Sequence, residues 1–353
     1  MTALHTSIVR SLTSALFLAS VAVVSAQSVV TEPVGFTTLT VAAKPPAARG
    51  FTYIALNMFR PTAYRSVVPG VSAPGSNTVL TFAAASFTAG QFATGTAPNY
   101  SHFIEISNGS SAGVLADISA CTTNTITLTE DISAMITGGT TSIRVRPHWT
   151  FATAFGANNS AGFQGSNTAT NADALQLLNG ATNLFTNYFY STINNRWQQG
   201  GVDASNVIIR PDQCLQVERK VTSAVSFTLV GEVKLGPTEI LIQGGVAPQN
   251  FNLVSNPYPL NSVTLAASGL FTGNPATGVV GSNTATNADT VGILNPVSGL
   301  TTFYFYSTVN LRWQNGGVDA STVVIPEGAG VLITRKLGRP GFSWIVPQPT
   351  MNL

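Results

Sequence analysis

Gly165-Ser166-Asn167-Thr168-Ala169-Thr170-Asn171-Ala172-Asp173 returns unchanged as Gly281 to Asp289. The register between the two copies, an offset of 116, runs without a gap to Lys220 and Lys336, and 32 of those 56 aligned positions are identical. Tyr188-Phe189-Tyr190-Ser191-Thr192 matches Tyr304 to Thr308, Arg196-Trp197-Gln198 matches Arg312 to Gln314, and Gly200 to Ser205 matches Gly316 to Ser321. The period is far longer than a solenoid repeat, so each copy is a domain or half-domain. Phe303 and Phe305 alternate with Tyr304 and Tyr306 on opposite faces, as residues of a strand do. Gly and Pro punctuate short β-branched and aromatic runs throughout, and long helical periodicity is absent. The reading is an all-β chain of two tandem, related β-sandwich units, jelly-roll-like in character.

Outward from the repeat, a fainter match pairs Val34–Leu39 with Val230–Leu235 and Phe51–Pro61 with Phe251–Pro259. These place a first unit at residues 27–222 and a second at 223–353. The first is longer by a block near 71–148. His102–Ile106, Thr125–Thr129 and Ser142–Arg146 in that block have strand character, so it is expected to be an inserted hairpin or small extra sheet. Residues 1–26 read as a secretory signal peptide: a weakly positive start, an apolar run from Ala15 to Val24, and small residues before Gln27. No stretch after it is long and apolar enough for a transmembrane helix.

The chain has 353 residues, and only 8% are charged, against about 25% in typical soluble domains. A net charge of +2 with no basic run gives nucleic acid no electrostatic footprint. A nearly neutral surface of Asn, Thr, Ser and Gly offers little like-charge repulsion between copies, which motivates an expectation of self-association.

Chemistry-bearing motifs are scarce. There is no phosphate-binding glycine loop, no Gly-x-Ser-x-Gly elbow and no zinc or haem spacing. No enzyme activity, metal or cofactor is expected. Asp173 and Asp203 recur as Asp289 and Asp319, as turn residues that accept backbone hydrogen bonds would. Asn167, Asn171 and Asp173 are spaced like calcium ligands but carry a single carboxylate. His148 is read as a strand-end residue. The candidate binding or interface residues are the repeated aromatics Trp197, Trp313, Tyr188, Tyr190, Tyr304 and Tyr306, with Arg196 and Arg312 placed to stack on a neighbouring ring. Exposed, they would bind sugar rings or a protein; buried, they are packing. Cys121 and Cys214 are candidates for a disulfide in an exported chain, although Gly330 stands where Cys214 stands in the first copy.

Val34–Thr40, Pro147-His148-Trp149-Thr150, the Tyr-Phe-Tyr strand, the following Arg-Trp and the strand ending in Arg-Lys resemble a family of uncharacterised secreted proteins of the Verrucomicrobia and relatives. The second unit is also similar to a β-sandwich domain of secreted Bacteroidetes proteins, through Asn256-Pro257-Tyr258-Pro259, Phe303–Tyr306, Trp313 and Ile325–Ile333. Ala329-Gly330-Val331 departs from the final Gly-Phe of that pattern. The resemblance implies an extracellular or cell-surface role in a Gram-negative-type bacterium and brings no catalytic residue. The expected function is a structural or adhesive protein of the surface or extracellular matrix, its partners being itself or other surface proteins. Carbohydrate binding through exposed aromatics is the alternative.

Overall fold

In the computed structural model the described residues are 33–46, 49–180, 182–234, 236–245, 249–258, 263–295, 298–326 and 328–348. The signal-peptide reading lies outside them. Almost every element is an antiparallel strand, and both copies of the repeat fold alike. The first main sheet runs in the order Val202–Asp203, Arg196–Gln199, Leu184–Ser191, Ala174–Asn179, Cys214–Arg219, Gly50–Ala55. The second runs Val318–Asp319, Arg312–Asn315, Leu300–Ser307, Thr290–Asn295, Gly330–Lys336, Gln249–Ser255. The repeated Gly-Gly pairs explain part of this. Gly200 and Gly201 have φ of 55° and 86°, and Gly316 and Gly317 have 54° and 84°. Two successive positive φ values make the two-residue hairpin turn whose twist suits antiparallel strands.

Each main sheet is covered on one face by a two-stranded ribbon, giving a sandwich. In the first half the ribbon pairs Val34–Val41 with Val225–Glu232; in the second it pairs Thr238–Ile242 with Phe342–Val346. Leu39, Val41, Phe227 and Leu229 from the first ribbon pack on Trp197, Phe151, Phe155 and Phe163. Ile240, Ile242, Phe342 and Trp344 pack on Trp313 and Tyr258 in the second. Two expectations change here. Val225–Glu232 belongs to the first sandwich, so the chain leaves that half after Glu232 rather than at 222. The counterpart of Val34–Val41 in the second half is Thr238–Ile242; Val230–Glu232, matched to it by sequence, is instead its pairing partner, with Gly35 opposite Gly231. A short Val-Gly match was too small to fix that register.

The inserted block is larger than expected. It starts at Tyr64–Val67, ends at Ser142–Pro147, and forms a seven-stranded sheet. Its core is its own, with Phe82, Phe87, Phe92, Ile104, Ile118, Ile126 and Val145 buried together.

The two main sheets meet through the faces turned away from their ribbons. Tyr53, Cys214 and Leu253 are buried between them, flanked by Leu178, Phe185, Leu294 and Leu332. The contacts come in matched pairs. Ala55 donates its N–H to the Gly328 carbonyl at 3.0 Å, and Ser255 donates to the Asp212 carbonyl at 3.0 Å. Ala55 and Ser255 are equivalent residues, as are Asp212 and Gly328. Asn183 accepts from the Phe251 N–H at 2.8 Å, while its counterpart Gly299 lies against Arg49 and Phe51. Contacts that exchange equivalent positions are the mark of a two-fold relation. Cys214 and Gly330 are themselves equivalent and touch each other: a Cβ on Gly330 would sit 2.1 Å from the Cys214 sulfur. They therefore lie at the internal pseudo-two-fold axis.

Candidate functional site

The sequence-selected residues are structural. Trp197 and Trp313 are 0% and 2% exposed and centre the two cores. The Trp197 indole donates to the Gly156 carbonyl at 2.8 Å. The tyrosine face of the repeated strand is the core face: Tyr188 and Tyr190 pack with Trp197, and Tyr304 and Tyr306 with Trp313. Tyr306 also stacks on Phe271 at 3.5 Å between ring centroids. These side chains are not the open platform that sugar stacking requires. Arg196 and Arg312 do not stack on a ring; each donates to a turn carbonyl, Gly201 or Gly317, at 3.0 Å.

Cys121 and Cys214 are both free and buried. The expected pairing fails because Cys121 packs in the inserted sheet's core and Cys214 between the main sheets. Burial pushes the Cys214 thiol well above its usual value. The Asn-rich loop is held by ion pairing. Asp173 is bound by Arg219 and accepts from the Gln164 and Lys220 N–H groups at 2.7 and 2.8 Å. Asp289 repeats this with Arg335 at 2.5 Å, Val280 and Lys336. Asp203 and Asp319 accept from Ser205 and Ser321 N–H groups at 2.8 Å. Among the described residues no group of three His, Cys, Asp or Glu side chains is arranged to hold a metal ion.

Less visible in the sequence are two ionic clusters where the insertion meets the halves. The first is fully internal. Glu105 sits between Lys234 and Arg146, with its Oε2 accepting from Arg146 Nε at 3.0 Å. Arg146 continues to Glu232, which accepts from the N–H and hydroxyl of Thr62 at 2.9 and 2.8 Å. Burial alone would raise the Glu105 carboxyl; the cations beside it outweigh that and hold it below its usual range.

The second cluster opens on a cleft of about 290 Å³. Asp117, on the strand Leu115–Cys121, accepts from His148 Nε2 at 3.0 Å and from Arg210 at 2.5 Å. His148 follows the strand Ser142–Pro147, as its strand-end reading requires, but it is buried. Burial would raise the Asp117 carboxyl, and the ring and guanidinium hold it low instead. Asp212, two residues beyond Arg210, has the opposite environment: burial raises it, against the Arg210 charge. Glu130 from the insertion and Glu239 and Leu241 from the second ribbon complete the walls, with Phe103, Ile132 and Met135. Asp117, His148 and Arg210 come from three separated segments, so no local spacing announced them.

A twin of this cleft lies at the two-fold-related position, about 250 Å³ in volume. Its ribbon wall is Thr37 to Thr40, its loop wall Pro326 and Gly328 to Gly330, and none of its described lining residues is charged. The pair is unequal on both sides of the fold: Asp117 and Glu130 come from the insertion, which the second half lacks, and Arg210 and Asp212 stand where that half has Pro326 and Gly328. No helix among the described residues is long and apolar enough to cross a membrane. No family model matches the chain, and no match to it was found among curated proteins or solved structures.

Proposed function

We propose that the chain is a secreted, non-enzymatic structural or adhesive protein of the cell surface or extracellular matrix, and that it self-associates. One observation carries the reading: the same exposed apolar side chains stand at equivalent places on both halves. Leu184 and Leu300, Ile193 and Val309, and Val202 and Val318 are all between 67% and 72% exposed. A paired display at near-equal exposure is a property of the repeat, not a scatter of single surface hydrophobics.

The placement matters as much as the exposure. Val202 and Val318 belong to the two-residue edge strands of the main sheets. Natural edge strands are commonly guarded by lysine, proline or a bulge; here a valine faces solvent at each. Leu311 adds to the second half. It is exposed and has φ of 51°, where its counterpart Asn195 has 48°. Asn tolerates that conformation and Leu does not, so an exposed leucine is kept there against a backbone preference.

Sedimentation velocity of the native chain beside Val202→Lys/Val318→Lys tests the reading. A charge on each edge repels an incoming strand, so the native chain is expected to sediment as an oligomer and the variant to shift toward monomer. Equal, monomeric sedimentation of both at micromolar concentration refutes it.

A further inference from the structure

The two valine edges of the main sheets carry charge as well. Asp203 follows Val202, and Arg196 lies on the strand paired with them; Asp319 and Arg312 stand in the same places beside Val318. Guanidinium and carboxylate are 4.0 Å apart in both copies, with side chains 38% and 53% exposed in the first and 39% and 54% in the second. At that separation and exposure the pair is weak, and both groups are open to another partner. The near-identity of the two sets also means that the inserted sheet, docked on the first half, leaves that edge as open as the other.

Each edge therefore presents a cation and an anion side by side, next to an apolar side chain. Turned through 180°, such a surface meets its own complement, with Arg facing Asp. The occupant with this chemistry is a second copy of the chain.

The strand orders decide where the two edges point. Cys214–Arg219 lies against Gln249–Ser255, the inner edge strand of the second sheet. Gly50–Ala55, one strand further from the first sheet's valine edge, lies against Thr290–Asn295, and the Tyr53 hydroxyl is 3.5 Å from that of Thr301 on the next strand. Moving away from one valine edge thus moves toward the other, so the two sheets run in opposite directions across the internal axis. Val202–Asp203 is four strands from Cys214–Arg219, about 19 Å at roughly 4.8 Å per strand. Val318–Asp319 is four strands from Gly330–Lys336 on the other side. One chain cannot bring its own two edges together.

We propose that the chain is bivalent: its two edges, at opposite ends, each take the edge of another copy, and self-association builds an open-ended filament. The inference rests on the self-association reading and adds a valence to it. Because the edges are alike, each accepts either edge of the next copy. Parallel or skew two-fold axes, one inside the chain and one at the contact, generate a line or helix of copies and not a closed pair.

Sedimentation velocity over a micromolar concentration series, with electron microscopy of the same samples, tests this on the native chain and on Val202→Lys and Val318→Lys made singly and together. Both positions are exposed, and an unchanged thermal melt checks the fold of each variant. The native chain is expected to grow past the dimer and to form threads. Each single variant should stop at twice the monomer mass, joined through its one intact edge, and the double variant should stay monomeric. A native chain that stops at the dimer overturns the filament and leaves self-association standing, whereas a native monomer overturns both. Single variants that assemble as far as the native chain would mean that the edges are not the contacts. Single variants that stay monomeric would mean that the edges are not two separate valences. Either result also overturns the proposal.

Discussion

Gly330→Ala probes the internal two-fold directly. Gly330 lies in the strand Gly330–Lys336 with ordinary extended geometry, so the perturbation is one of space. The new Cβ would fall 2.1 Å from the Cys214 sulfur, 2.9 Å from its Cβ and 3.1 Å from the Tyr53 Cβ. Two of these neighbours are Cβ atoms fixed to strands, so the sheets must part. Overpacking of this kind costs about 1–3 kcal/mol, and at roughly 2–4 °C per kcal/mol for a large domain the melting temperature should fall by about 2–12 °C. Cys214→Gly errs the other way, leaving a void and a strand glycine, at roughly 1–3 kcal/mol. Because the two positions are equivalent and touch, the reciprocal exchange Cys214→Gly/Gly330→Cys puts the thiol back from the opposite sheet. Reversible urea unfolding of native, Cys214→Gly, Gly330→Cys and exchanged chains forms a double-mutant cycle. The exchanged chain is expected to exceed the sum of its single changes by about 2 kcal/mol, as contacting residues do. Additivity within about 0.5 kcal/mol would mean that the residues do not meet.

Glu105→Gln should destabilise by about 3–5 kcal/mol in chemical denaturation, because it strands Lys234 as a buried cation and leaves Arg146 with Glu232 alone. The folded-state carboxyl of Glu105 lies below its unfolded value, so its contribution is present above about pH 4.3 and is lost as pH falls through the folded value; a pH series should show this acid limb reduced in the Gln variant. His102 is lowered from 6.5 to about 4, first by burial and then by the nearby His148 and Arg60. The folded state therefore binds fewer protons, and stability should decline as pH drops from 6.5 toward 4, a limb that His102→Gln should flatten. Both thiols should react with an aromatic disulfide reagent only after unfolding, since each is free and buried; rapid labelling of Cys214 in the folded chain would contradict its place between the sheets.

How much was legible in the sequence differs by level. The duplication fixed two alike β units because 56 aligned residues carry hairpin turns, core tryptophans and loop-holding Asp–Arg pairs together. The same alternation could not say which face of Tyr188-Phe189-Tyr190 looks inward. The main sheet is covered on both faces, by its ribbon on one and by the sister sheet on the other, so Tyr190 and Phe189 are both buried. A strand buried on two sides has no polar face to betray its orientation. The insertion's strands were visible at His102–Ile106 and Ser142–Arg146, but its beginning was not: Tyr64–Val67 alternates between exposed and half-buried residues, a weak signal over four positions. The charged cleft could not be read at all. Asp117, His148 and Arg210 are brought together only by docking the inserted sheet on the first half, and the meeting of Cys214 with Gly330 depends on a symmetry axis that no local pattern encodes.

The central claim is that a nearly neutral, duplicated surface with paired apolar edges associates with itself. Sedimentation equilibrium of the folded chain, across a concentration series from below to above micromolar, tests it most directly. The account predicts a mass that rises with concentration to a dimer or larger assembly. A monomer mass at every concentration would contradict it.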